Sequence, residues 1–196
     1  MQTNVKKLIP AFILIAANVT VFILGFFAYD NGNWMMNSVT VYRQREYWRV
    51  FTAMFLHADI RHLVFNMISL YGLSAIVLAS QPVWKYYVFY FVSGILGGFS
   101  DAGIRFIMGD WSFSLGASGA IMGLLGVCIA YFVVNRKRIP AAALKSQLLR
   151  LGIFAAINLI PGGGSVDYLA HLFGFLWGLV LGFLLIRPPK RAEYEA

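Results

Sequence analysis

With 60% hydrophobic side chains and only 12% charged, the 196-residue chain is too apolar for a soluble domain, in which charged residues make up about a quarter. Its formal net charge of +8 does not mark a nucleic-acid binder, because the cations sit between long apolar runs and form no patch. There they act as topology signals and as contacts to anionic headgroups of the lipid bilayer. The class expected is an all-α membrane protein, a six-transmembrane-helix bundle folded as one domain over residues 1–196 with its core at about 8–187. The lone cysteine, Cys128, lies inside an apolar run and reads as a small buried hydrophobe.

In chain order, Met1 to Lys7 lead into an apolar run from Leu8 to about Phe27. The run is too long for the core of a cleaved signal peptide, and no small-x-small site precedes Tyr29, so a retained signal anchor is expected. A membrane helix needs roughly 20 apolar residues. Six segments qualify, at about 8–28, 57–79, 83–101, 116–135, 145–161 and 167–187. Between the first two, Asp30 to Val50 holds Trp34, three arginines, Tyr42, Tyr47 and Trp48, a composition for a loop at headgroup level. A shorter loop of the same kind is expected over 102–115. In the fifth segment Lys145, Gln147 and Arg150 fall in the first turns, where they snorkel to the interface.

Eleven of the sixteen basic residues lie on one side of these segments: Lys6, Lys7, Lys85, Arg136, Lys137, Arg138, Lys145, Arg150, Arg187, Lys190 and Arg191. The other side carries five arginines and six of the eight acids, Asp167 among them. The positive-inside rule then puts both termini in the cytoplasm, and a bacterial plasma membrane is the setting expected. Glycines show which helices touch. Gly119, Gly123 and Gly126 stripe the fourth segment, and Gly174, Gly178 and Gly182 recur every fourth residue in the sixth. Such stripes let backbones approach closely in lipid.

Packing accounts for the glycines but not for the polar residues beside them. Ser118 sits in Gly116-Ala117-Ser118-Gly119 at the head of the fourth segment, and His171 lies one turn into the sixth, on the same side. A serine hydroxyl becomes nucleophilic only when a base takes its proton, and imidazole suits that near neutral pH. Asp167 is the one acid near His171, one turn earlier, so a Ser–His dyad is expected and not a triad. In the second segment His62 and Asn66 share a helical face and can donate to a developing oxyanion, with the Ser118 backbone N–H. An interhelical polar clamp is the bland alternative for that pair. His57 falls on a neighbouring face and reads as structural or water-positioning.

Together these motifs resemble the rhomboid intramembrane serine proteases. Trp48-Arg49 is similar to that family's Trp-Arg motif, and His57, His62 and Asn66 match its H-x4-H-x3-N pattern. Gly116-Ala117-Ser118-Gly119 matches G-x-S-G, and Ala170-His171 with Gly174 and Gly178 matches A-H-x2-G-x3-G. The resemblance covers about residues 40–182. It implies Ser118 as nucleophile, His171 as general base, Asn66 and His62 as oxyanion donors, and a supporting backbone group from Gly116. It also implies a water-filled cavity open outward, transmembrane protein substrates cut near the outer boundary, and chemistry without cofactor or metal. Three features depart from the pattern: Met122 replaces a common aromatic residue four after the serine, Phe173 stands where glycine is common, and Leu78-Ala79-Ser80 stand near the end of the second segment without the family's glutamate. The alternatives are a rhomboid-like protein that binds membrane clients without cutting them, and a small transporter or haem protein using the histidines. A metalloprotease is disfavoured, since no H-E-x-x-H occurs.

Overall fold

The computed structural model describes residues 5–25, 31–158 and 167–187. Each of the six expected segments is helical over most of its described length. They are α1 (Ile9–Gly25), preceded by a turn of 3-10 helix over Val5–Leu8, then α4 (Ile60–Ser80), α5 (Val83–Met108), α6 (Ser118–Val134), α7 (Ala141–Asn158) and α8 (Tyr168–Leu185). The start of α4 at Ile60 leaves His57 ahead of the helix, and α6 starts at Ser118 and not at 116. The connection between α1 and α4 is not plain loop, for it folds into α2 (Ser38–Tyr42) and α3 (Trp48–Thr52) with short 3-10 turns. The expected ends at 26–28 and 159–161, and Lys190 and Arg191 in the charge count, lie outside the described residues.

Four helical segments among the described residues are long and apolar enough to cross a membrane: Val5–Gly25, Ile60–Ser80, Val83–Met108 and Tyr168–Leu185. α6 is equally apolar but has only 17 residues. α7 is less apolar, with Lys145 and Arg150 among its first ten residues.

Local chemistry sets the ends. Asp59 caps α4, its side chain accepting from His62 N at 2.8 Å, as a carboxylate at a helix start should. That bond holds the Asp59 carboxyl below its ordinary range. α5 corrects the expected 102–115 loop, because it continues to Met108. Arg105 pairs with the buried Asp101 one turn earlier, and Gly109, at φ +69°, ends the helix in a left-handed cap. The apolar pattern, interrupted at Asp101, resumes beyond it through Ile104 and Phe106 to Met108.

The bundle is built around α6, most of whose residues are buried. It packs most extensively on α8, and both pack on α5. Contact is backbone to backbone: a Cβ added to Gly174 or Gly178 would fall within the backbone of Gly119 or Gly123. On the other flank, a Cβ on Gly97 would stand 3.0 Å from Gly174 N. At the opposite end of the same helices Lys85 Nζ donates to Leu185 O at 2.6 Å, so the start of α5 meets the end of α8.

Gly178→Ala is expected to cost about 1–3 kcal/mol through overpacking. Gly72 faces open space, and Gly72→Ala is expected to gain about 0.4–1 kcal/mol from reduced unfolded-chain freedom. Thermal unfolding in detergent measures both, and equal midpoints for the two variants would contradict the close-contact reading.

Candidate active site

Ser118 is the first residue of α6, half-buried, in a helix that starts without a side-chain cap. An uncapped start leaves its leading backbone N–H groups open to a ligand. The bend before it requires glycine. Gly116 has φ +121°, and a Cβ there would stand 2.9 Å from His62 Nε2 and 3.7 Å from Ser118 Oγ. The missing side chain at Gly116 is thus the space into which both the His62 ring and the serine hydroxyl project. The Gly116 N–H is donated to Ala53 O at 2.8 Å, which confines its expected backbone role to the carbonyl.

His171 lies in the first turn of α8, buried, with its Nδ1 unpartnered among the described residues. A Cβ on Gly119 would stand 3.4 Å from Ala170 O. The residues that immediately follow Ser118 and precede His171 are therefore in contact, and the two side chains flank the point where α6 and α8 meet. Asp167 does not orient the imidazole. Its Oδ1 instead accepts from Ala170 N at 3.1 Å and from Arg105 Nη2 at 2.8 Å.

On α4, Asn66 is buried and His62 half-buried. His62 Nδ1 accepts from Ala58 N at 3.4 Å, which assigns the proton to Nε2, the nitrogen beside Gly116 and Ser118. His57 is only 3% exposed, its ring edge-on to that of His62 with centroids 5.1 Å apart. Neither of its nitrogens finds a partner among the described residues. Burial, reinforced by the neighbouring His62, pushes its pKa down to about 3.

The Trp-Arg pair braces this region from the connection between α1 and α4. Arg49 Nη1 donates to Gly32 O at 3.1 Å and Met35 O at 3.0 Å, and its Nε pairs with Glu46. Its guanidinium also lies over the Trp48 ring, which packs edge-on against Trp34. The strand-like segment so held pairs with the approach to the serine, through Ser114 N to Met36 O at 2.8 Å and Met36 N to Ser114 O at 3.3 Å. A small cavity of about 30 Å³ lies beside Ser118, with Gly116, Gly119, Ala170, Gly94 and Gly98 among its walls. Met122 is buried in the core below, one turn along α6 from Ser118. Phe173 faces away, into a groove of about 490 Å³ with Tyr42, Phe99 and Ile107.

One cluster was not read from the sequence. Arg105 joins Asp101 at 2.7 Å, Asp167 at 2.8 Å, and Asp110. The available signals were the four-residue Asp101–Arg105 spacing and an aspartate at a helix start.

The rhomboid domain model matches residues 44–188. Over 157 residues the chain is 35% identical to "RHOMBOID-like protein 6, mitochondrial" of Arabidopsis thaliana, a match covering 79% of this chain and 49% of that relative. It is 33% identical to "Rhomboid-like protease 3" of Toxoplasma gondii, covering 68% and 50%. It is 29% identical to "Putative rhomboid protease YdcA" of Bacillus subtilis, covering 74% and 71%. The chain thus spans about half the length of the first two.

The folded state keeps His57 neutral, whereas in the unfolded chain it titrates near 6.5. Below that pH the unfolded state binds the extra proton, so stability falls as pH drops from 6.5 toward 3. The loss from this group approaches about 1.4 kcal/mol per pH unit. Thermal midpoints across that window should fall less steeply for His57→Phe than for wild type; equal slopes would refute a buried neutral His57.

Proposed function

This chain belongs to the rhomboid family, and on that premise we propose that it is a membrane-embedded serine endopeptidase. In this reading it cuts single-span membrane proteins near the outer boundary of the bilayer. The chain is an integral, multi-pass membrane protein. α6 and α7 complete six spans, α6 being short because it starts below the surface at Ser118. In this reading the basic excess puts both termini in the cytoplasm, with a bacterial plasma membrane as the setting.

The observation that carries the reading is the contact of Gly119 with Ala170 and Gly174, flanked by Ser118 and His171. Ser118 Oγ attacks the scissile carbonyl as His171 takes its proton. Negative charge on the carbonyl oxygen is met by the Ser118 N–H, His62 Nε2–H and the Asn66 amide, donors fixed before the reaction begins. His171 passes its proton to the leaving amine, the C–N bond breaks, and an acyl ester remains on Ser118. Water then attacks the ester with the same imidazole as base, releasing the acid and restoring the serine. Neither step requires a metal or cofactor. The substrate segment must be extended, because a helix ties its carbonyls into i→i−4 bonds. The small cavity beside Ser118, walled largely by glycine and alanine, suits a small side chain next to the scissile bond.

The test is cleavage in liposomes of a single-span reporter with helix-breaking residues in its span and alanine near its outer end. Wild type should yield two fragments. Ser118→Ala and His171→Ala should lose about 10³-fold or more, and Asn66→Ala about 10²- to 10³-fold. Cleavage by Ser118→Ala at the wild-type rate would sink the dyad. A wild type that binds the reporter and leaves it whole would favour the client-binding reading instead.

A further inference from the structure

We propose that Arg105 is a positioning residue for His171, a role that rests on the protease reading above. The guanidinium stands at the end of α5, 13% exposed, and reaches three carboxylates from three parts of the chain. Nε donates to Asp101 one turn earlier on α5, where the carboxylate is fully buried. Nη1 pairs with Asp110, just beyond the Gly109 cap, and Nη2 donates to Asp167 at 2.8 Å.

Asp167 is the link to the base. Its Oδ1 caps the start of α8 through Ala170 N, and its backbone oxygen accepts from His171 N at 3.0 Å. Arg105 therefore grips the residue that fixes the first turn of α8, and His171 sits in that turn. Asp110 carries the brace further, its backbone oxygen accepting from Ser38 Oγ of α2 at 2.7 Å. Below this level α8 is held by glycine contacts with α5 and α6 and by Trp177 Nε1 donating to Ser100 Oγ at 3.0 Å. Those contacts fix how far apart the helices stand. The first turn, which touches α6 at Ala170, takes its direction from its cap, and the cap is what Arg105 holds.

One forked cation suits the task, since a guanidinium presents five donors in a plane and can serve three acceptors at once. Burying the Asp101 carboxylate, and most of Asp167, beside a single cation is costly, and helix packing alone does not need it. The His171 Nδ1, unpartnered among the described residues, has no side-chain acceptor of its own to orient the ring. Its alignment depends on the backbone from which it projects.

The test follows the rate at which a fluorescent fluorophosphonate labels the purified protein in detergent, as a function of probe concentration. Arg105→Gln should lower the maximal labelling rate about 10- to 100-fold, the loss attending small misplacement of a catalytic group. The half-saturating probe concentration should stay unchanged. Arg105→Lys, which keeps the charge without the fork, should fall between Arg105→Gln and wild type. Because Arg105→Gln can fail to fold, Asp167→Asn serves as the second variant: asparagine still caps the helix but loses the charge partner. Its maximal rate should drop in the same way at a near-normal melting temperature. Wild-type labelling rates in Asp167→Asn would overturn the role, as would an Arg105→Gln loss fully accounted for by unfolded protein. Wild type that does not label, or labels equally well with Ser118→Ala, would sink the protease reading itself and this role with it.

Discussion

The rest of this molecule depends on two helices touching without side chains between them. In lipid, apolar side chains gain nothing by meeting one another rather than acyl tails, so association rests on close packing and polar contacts. α6 and α8 obtain that packing by stacking Gly119 and Gly123 against Gly174 and Gly178. The contact is so close that a single methyl at Gly174 would enter the facing backbone. Ser118 and His171 come off the two helices on either side of its outermost point. In the protease reading scaffold and chemistry are one feature: the spacing that holds the bundle together also sets the distance between the helices that carry the serine and the histidine.

A second constraint acts from the polar end of the bundle. The approach to Ser118 must turn sharply, and it does so at Gly116, whose positive φ and lack of a side chain make room for His62. That turn is pinned from behind by the Met36–Ser114 pairing, and the Met36 segment is pinned in turn by Arg49. Opposite, Arg105 and its three carboxylates hold the start of α8. The apolar half of the protein sets distances between helices, and the charged end sets the directions of the groups that emerge from them. Both arginines act on backbone: Arg49 through carbonyls, Arg105 through a helix cap.

Much of this was legible in the sequence because lipid makes the signals costly. Histidines in apolar runs and glycines at four-residue intervals are expensive or empty unless they do something, so His57, His62, His171 and the two stripes are legible in the sequence itself. The family's motifs fixed their order, and the matched domain spans them. Less legible was whatever depends on partners distant in the chain. Arg105 and Asp167 are 62 residues apart, and nothing local to either says that they meet. The extension of α5 to Met108 was hidden because the apolar run is interrupted at Asp101, a charge that the structure pairs with Arg105 one turn later in the same helix. The short helices between α1 and α4 were missed for a related reason: they are too brief for periodicity, and α2 is defined by its Asn37–Thr40 capping box.

The most direct measurement is peptide mapping by mass spectrometry after treatment with a fluorophosphonate, which forms an O–P bond to a nucleophilic serine as fluoride leaves. The account predicts one adduct, on the peptide carrying Ser118, strongly reduced in His171→Ala and absent in Ser118→Ala. An adduct on another serine, or one on Ser118 undiminished in His171→Ala, would contradict it.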